Sequence, residues 1–132
     1  MSRVTILASI ATEDETQAEE TEIAPARAAE LVSAGAPIVD VRQDYEWEAG
    51  HISGATHIPL EQLPSRVEEF DRGQPIVFQC RSGSRSSFAT AAFREAGFQA
   101  FNLEGGLQAW VEDGKPIEPT HGVVADPLLD GR

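Results

Sequence analysis

The chain has 132 residues, and its 10 lysine and arginine residues against 22 aspartate and glutamate residues give a formal net charge of −12. The length fits one domain, and the acidic balance argues against binding nucleic acid or an anionic membrane through bulk electrostatics. The single cysteine excludes an intramolecular disulfide, a CxxC redox pair and a cysteine-rich zinc site, and the lack of about 18 successive apolar residues excludes a transmembrane helix.

The first 21 residues are predicted to form an acidic, solvated arm. The run EDETQAEETE at 13–22 has no apolar periodicity, whereas residues 4–10 are apolar enough to pair as an extra strand. The opening MSRVTILASIA is a poor signal peptide because Thr5 and Ser9 interrupt its short apolar stretch and acid follows at once. Together with the unpaired thiol, this favours a cytoplasmic, reducing setting.

Short apolar strands alternate with helical segments through a predicted domain at 22–119. The predicted helices lie at 25–34, 60–70, 86–96 and 107–113, and the predicted strands at 37–41, 55–58, 75–79 and 99–103. This alternation predicts an α/β domain whose mainly parallel central sheet carries helices on both faces. Residues 120–132 contain glycine and proline without a clear period, and they predict a C-terminal tail.

One loop carries a reactive side chain at the end of a predicted buried strand, where open α/β sheets place their sites. It contains the sequence CRSGSRS and leads into a helix, whose first turn supplies unpaired N–H groups and a partial positive charge. A tight loop of this kind turns several amides toward one point and forms an anion cradle. The predicted cradle around Cys80 consists of Arg81, Ser82, Gly83, Ser84, Arg85 and Ser86.

The composition of this loop favours a thiolate on Cys80. Gly83 permits a backbone conformation that other residues resist, the serines add hydroxyl donors, and Arg81 and Arg85 bring cations near the sulfur. We therefore predict a pKa for Cys80 well below about 8.5, which makes it a nucleophile. The alternative is a buried, inert thiol, which is the commonest fate of a lone cysteine.

The loop length limits the reaction class. Arg85 follows Cys80 by five positions in a C-x4-R arrangement, whereas cysteine phosphatases need C-x5-R, and position six holds Ser86. The tighter loop suits a smaller anion or a single extra sulfur atom. A cysteine phosphatase or arsenate reductase stays as one alternative, and a sulfur-carrier or anion-sensing binding module as another.

Three separated motifs resemble the single-domain rhodaneses, a sulfurtransferase family. The first is Asp40-Val41-Arg42, followed by Trp47, the segment GHISGA at 50–55 and then Ile58-Pro59. The second is the loop at 80–85, and the third is LEGGL at 103–107 with Trp110. The motifs occur in the family's order and spacing, so the resemblance implies a rhodanese-like three-layer α/β fold.

The resemblance also implies a mechanism. Cys80 would attack the outer sulfur of a small anionic donor such as thiosulfate, release sulfite and become a persulfide, which cyanide, a thiol or a protein acceptor would discharge. Neither a metal nor an organic cofactor is implied. Two cations in the loop favour thiosulfate as the first candidate donor, and a protein or glutathione persulfide is the alternative.

Asp40 and Arg42 form a second tier, because they follow a strand and should lie on the active-site side of the sheet. Arg42 would either shape the entrance or hold a donor anion. The favoured interpretation is structural: Asp40 bonds loop amides, and Arg42 forms an ion pair, for instance with Glu46 or Glu48. His51 matches the structural histidine of the family signature and is not expected to act as a base.

Overall fold

The computed structural model describes residues 21–126, in which five parallel strands form one central sheet. The sheet order is β1-β6-β5-β2-β4. These strands are β1 (Glu22–Ile23), β2 (Ile38–Asp40), β4 (Thr56–His57), β5 (Ile76–Gln79) and β6 (Ala100–Leu103). Most of the predicted arm, including the optional strand at 4–10, lies outside the described residues, as do residues 127–132 of the predicted tail.

The central strands are buried on both sides, as their unbroken apolar sequences predict. Every residue of β2 and β5 is buried, and the two strands pair in parallel, with Ile38 opposite Val77 and Asp40 opposite Gln79. This register brings the carboxyl ends of β2 and β5 together at one edge. The residues that follow them, Val41 and Cys80, therefore leave the sheet side by side.

Helices cover both faces of the sheet, which confirms the predicted three-layer α/β class. One face packs against α3 (Ser84–Glu95) and a 3₁₀ segment (Leu60–Glu69) that contains Pro64. The other packs against α1 (Pro25–Ser33) and α4 (Gly106–Glu112). Within residues 21–126, no helix is both long and apolar enough to cross a membrane.

Several elements were not predicted because they are too short to show a period. They are β1, the helix α2 (Asp44–Ala49) and a small antiparallel sheet of β3 (His51–Ile52) with β7 (Ile117–Glu118). The helix predicted at 86–96 begins two residues earlier, at Ser84, because Gly83 in the left-handed region acts as its N-cap. The loop at 80–86 is thus shorter than expected, and its last residues belong to the first turn of α3.

The predicted tail also differs in part from the structure. Residues 120–126 run back along α2, and the Val123 amide donates to the Ala49 carbonyl at 2.8 Å. A Cβ atom on Gly50 would lie 2.5 Å from the Val123 carbonyl oxygen, so this close passage requires glycine there. We call residues 120–126 the C-terminal strap.

The face under α3 is filled by phenylalanine rings. Phe93 is 3% exposed and lies 4.8 Å from Phe78 and 4.9 Å from Phe98, measured between ring centroids. One and a half turns earlier on the same helix, Phe88 is 72% exposed and borders a shallow apolar groove between α3 and the 3₁₀ segment. The two rings therefore have opposite environments on one helix.

We expect Phe93→Ala to lower the free energy of unfolding by about 3–5 kcal/mol, because it leaves a cavity among packed rings. Phe88→Ala is the matched control on the same helix and should change it by less than about 1 kcal/mol. Urea unfolding followed by tryptophan fluorescence measures both. Equal losses for the two variants would contradict this description of the core.

Candidate active site

The thiol of Cys80 is enclosed by donors from its own loop. The residue is fully buried at the carboxyl end of β5. Its Sγ accepts hydrogen bonds from the Gly83 amide at 3.1 Å and from the Ser86 amide at 3.4 Å, and the Ser86 hydroxyl lies 3.4 Å away. Donors converging on one atom stabilise negative charge there, so the loop is suited to a thiolate.

Two glycines, Gly83 and Gly106, allow the backbone shape of this loop. Gly83 has a φ of 105°, in the left-handed region that favours glycine, and this conformation turns its amide toward Sγ. On the facing turn, a Cβ atom on Gly106 would lie 2.6 Å from the carbonyl carbon of Arg81. The amide of Leu107 in α4 donates to the Cys80 carbonyl at 2.8 Å, so α4 holds the loop from outside.

A buried asparagine supports the loop from β6. Asn102 is 1% exposed; its Nδ2 donates to the Gly83 carbonyl at 3.0 Å, and its Oδ1 accepts from the Ser86 hydroxyl at 2.5 Å. A hydroxyl carries one hydrogen, so Ser86 can donate to Asn102 or to Sγ, but not to both. The two amides are therefore the fixed donors to sulfur, and the hydroxyl is an adjustable third.

Arg85 is bound to a carboxylate rather than left open to a ligand. Its Nη1 and Nη2 donate to the two oxygens of Glu46 at 2.8 and 2.9 Å, and Glu46 is fully buried in α2. Burial acts to raise the pKa of Glu46, but the Arg85 hydrogen bonds, the Gln43 amide and the charges of Arg85 and Arg42 outweigh it and lower that pKa below 4.5. The Glu46 hydrogen bond in turn raises the pKa of Arg85 above its ordinary value.

The second cation of the loop is also paired. Arg81 Nη2 donates to a carboxylate oxygen of Asp126 at 2.7 Å, and the side chain of Arg81 is 26% exposed. The hydroxyl of Tyr45 donates to the backbone carbonyl of Asp126 at 3.0 Å. The C-terminal strap thereby brings an acidic side chain to the active-site loop.

Asp40 and Arg42 have a structural position. Both are fully buried, and the Arg42 guanidinium donates to the Asp40 carboxylate at 2.7–3.1 Å and to the Gly50 carbonyl at 2.8 Å. The Arg42 amide also donates to Asp40 at 3.0 Å, in line with the expected bond from Asp40 to a loop amide. The ion pair predicted between Arg42 and Glu46 or Glu48 is replaced by this pair with Asp40, and a buried Arg42 cannot shape an entrance.

The histidines of the first motif belong to a ring stack. His51 lies 3.6 Å from the Trp47 ring, and His57 lies 4.9 Å from it on centroid distances. A ring nitrogen of His51 bonds the Trp47 carbonyl at 2.8 Å, and one of His57 bonds the Arg42 carbonyl at 2.8 Å. These contacts make both histidines structural parts of the first-motif segment, which adjoins the Asp40–Arg42 ion pair.

The structure thus separates the sequence-predicted residues into groups. Gly83 and Ser86 contact the sulfur, and Arg81 and Arg85 are in ion pairs, while Ser82 and Ser84 are exposed. Sequence reasoning did not assign Glu46, Asn102 or Asp126 to this site. A glutamate three residues after Gln43 was the one available signal, because the two form a capping box that starts α2.

Comparison with known proteins agrees with the fold. The model of the rhodanese-like domain matches residues 24–113, and the chain therefore belongs to the rhodanese-like family. Thiosulfate sulfurtransferase GlpE of Pseudomonas aeruginosa is 36% identical over 89 residues, which cover 67% of this chain and 81% of that protein. A sulfurtransferase of Allochromatium vinosum is 36% identical over 86 residues, covering 64% of this chain and 80% of its own.

Solved structures show the same architecture. The rhodanese-related protein of Thermoplasma volcanium superposes with a TM-score of 0.68 at 29% identity, over 73% of this chain and 95% of that one. The named relatives and the shared domain support sulfurtransferase activity as the general class for this chain.

The Glu46–Arg85 pair generates a stability prediction. We expect Glu46→Gln to lower the free energy of unfolding at neutral pH by about 1–3 kcal/mol, because Arg85 loses its charged acceptor. Folding lowers the pKa of Glu46 below 4.5. The contribution of the Glu46 carboxylate to the free energy of unfolding is therefore full above pH 4.5, and it is lost as the pH falls through the pKa of Glu46 in the folded protein. The difference in the free energy of unfolding between wild type and Glu46→Gln, measured by urea titration, should therefore become smaller as the pH is lowered from about 7 to about 3.

Glu48→Gln is the matched control, because Glu48 lies on the same short helix and is exposed. It should leave both the stability and its pH dependence close to those of wild type. A gap that stays constant with pH for Glu46→Gln would show that the carboxylate does not titrate as the pair requires.

Proposed function

We propose that the protein is a sulfurtransferase that carries a sulfane sulfur on Cys80 as a persulfide. The observation that carries the proposal is the convergence of the Gly83 and Ser86 donors on a buried sulfur at the end of β5. These donors stabilise anionic sulfur in the thiolate, and they can stabilise it again in the persulfide. The domain at 22–119 would contain the sulfur-carrying cysteine and its hydrogen-bond donors, and an unpaired thiol suits a reducing cytoplasm.

The first half-reaction begins with the Cys80 thiolate and thiosulfate. The thiolate electron pair forms a bond to the outer sulfur, the bond between the two donor sulfurs breaks, and sulfite leaves with that electron pair. The products are a Cys80 persulfide anion and sulfite, so atoms and charge balance without a redox partner. A persulfide donor would react in the same way and release a thiolate.

The second half-reaction returns the thiol. Cyanide, a small thiol or a protein thiol attacks the outer sulfur of the persulfide, and Cys80 leaves as a thiolate that the same two amides stabilise. The chain contains one cysteine, so no second thiol of the same chain can discharge the persulfide. An external acceptor is therefore part of the proposal.

The alternative of phosphoryl or arsenate chemistry receives less support from the geometry. Arg85 occupies the fifth position after Cys80, and both of its terminal nitrogens are bound to Glu46. A phosphoryl group would need these donors for its equatorial oxygens. Turnover of an aryl phosphate that depends on Cys80, in the absence of sulfur transfer, would reverse this ranking.

We expect wild-type protein incubated with thiosulfate to gain the mass of one sulfur atom, because the thiolate captures the outer sulfur. Cys80→Ala should gain none. Intact-mass spectrometry under non-reducing conditions measures both, and added cyanide should return the wild-type mass while producing thiocyanate. An adduct that persists in Cys80→Ala, or its absence in wild type with both thiosulfate and a glutathione persulfide donor, would rule the proposal out.

Two neighbouring serines test the role of the cradle. We expect Ser86→Ala to slow persulfide formation by about threefold to tenfold, because it removes the adjustable donor while leaving the two amides. Ser87→Ala is the matched control, since its hydroxyl bonds the Ser84 carbonyl on the exposed side of α3. Intact-mass measurements on samples quenched at successive times give the rates of persulfide formation. Equal slowing in both variants would contradict a specific contact between the Ser86 hydroxyl and the sulfur.

A further inference from the structure

Both loop cations of the site are neutralised by carboxylates, but in two different ways. Glu46 is fully buried in α2 and grips Arg85 through two bonds, so this pair is a fixed part of the fold. Asp126 is carried by the strap, and its side chain is 85% exposed. The pair with Arg81 is therefore the one that an incoming anion can compete for.

The position of Asp126 depends on contacts of the strap. Val123 is bonded to the end of α2 at Ala49, and Tyr45 on the same helix bonds the Asp126 carbonyl. The Nε atom of Arg81 is buried and has no hydrogen-bond partner among residues 21–126. Within this described range, the guanidinium of Arg81 is therefore oriented by its hydrogen bond from Nη2 to Asp126. One acidic side chain thus determines how much positive charge the residue beside Cys80 offers.

We infer that Asp126 is a specificity-determining residue that reduces the preference of the site for highly charged sulfur donors. The inference rests on the proposed function, because it concerns the donor half-reaction at Cys80. The Asp126 carboxylate compensates the positive charge of Arg81. A dianionic donor must therefore either displace this carboxylate from Arg81 or approach Cys80 against its repulsion. The repulsion between Asp126 and the donor is smaller when the donor carries less negative charge.

The size of the effect should scale with donor charge. Coulomb energy is proportional to the charge of the approaching ion, so removal of Asp126 should change the logarithm of the rate about twice as much for a dianion as for a monoanion. Asp126 is solvent exposed, so the change is moderate and falls as salt screens the charges. A structural effect on the loop would alter both donors by the same factor.

Thiosulfate and methanethiosulfonate form a suitable donor pair. Both transfer an outer sulfur to a thiolate, one with release of sulfite and the other with release of methanesulfinate, and they carry two charges and one charge. The rate of Cys80 persulfide formation, followed by intact mass in full-length protein, is the readout. We expect Asp126→Asn to accelerate the reaction with thiosulfate about threefold to tenfold and that with methanethiosulfonate about twofold to threefold at low salt.

Three further variants separate the causes. Asp113→Asn removes the same charge from another exposed ion pair, with Lys115, and should leave both rates unchanged. Tyr45→Phe keeps the Asp126 charge but removes one anchor of the strap, so it should shift the thiosulfate rate in the same direction by a smaller factor. In an Arg81→Met background, Asp126→Asn should have a smaller effect on both rates, because no cation is left to be freed and only the direct repulsion by Asp126 is relieved.

The outcomes distinguish this inference from the proposed function. Wild-type protein that forms a persulfide, together with an Asp126→Asn variant whose two donor rates change by one common factor or not at all, would overturn the inference alone. Acceleration by Asp113→Asn equal to that by Asp126→Asn would also overturn it, since net charge would then be the cause. Wild-type protein that forms no persulfide with either donor would overturn the proposed function.

Discussion

The geometry of the site depends on how the 80–86 loop is fastened, because two amides reach one sulfur atom in only a narrow set of backbone conformations. Gly83 supplies the left-handed residue, and the amide of Leu107 holds the Cys80 carbonyl from the neighbouring helix. Asn102 then fixes the Gly83 carbonyl from β6. These contacts come from three elements, so the sulfur environment is a property of the whole sheet edge and not of the loop sequence alone.

Charge in this protein has a different meaning at different scales. The formal net charge of −12 describes the chain as a whole, whereas each arginine around the site has a carboxylate partner. Arg42 pairs with Asp40, Arg85 with Glu46, and Arg81 with Asp126. The site is therefore not a strongly positive pocket, and the fixed donors that converge on the Cys80 sulfur are the oriented amides of the loop, which remain partial charges at any pH.

The sequence was sufficient for the parts of the fold that repeat a period or contain a distinctive loop. The strands ending at Gln79 and Leu103 and the helix α1 were predicted to within about one or two residues, which is the usual uncertainty of helix and strand ends. The helix α2 was not predicted because six residues do not display a helical period. Glu46 appeared in the sequence as one of many acids, and only the folded chain shows that it is buried.

The misassigned partner of Arg42 and the missed contact of Asp126 both concern ion pairs. An ion pair needs no sequence periodicity and joins residues at any separation, so Arg81 and Asp126, 45 positions apart, leave no local signal. Sequence separation also made the strap appear as a featureless tail, because its contacts use backbone groups and the missing side chain of Gly50. A segment without periodicity can still set the chemistry of a site when it delivers one charged side chain to it, and the distinction between a fixed pair at Arg85 and a displaceable pair at Arg81 follows from burial alone.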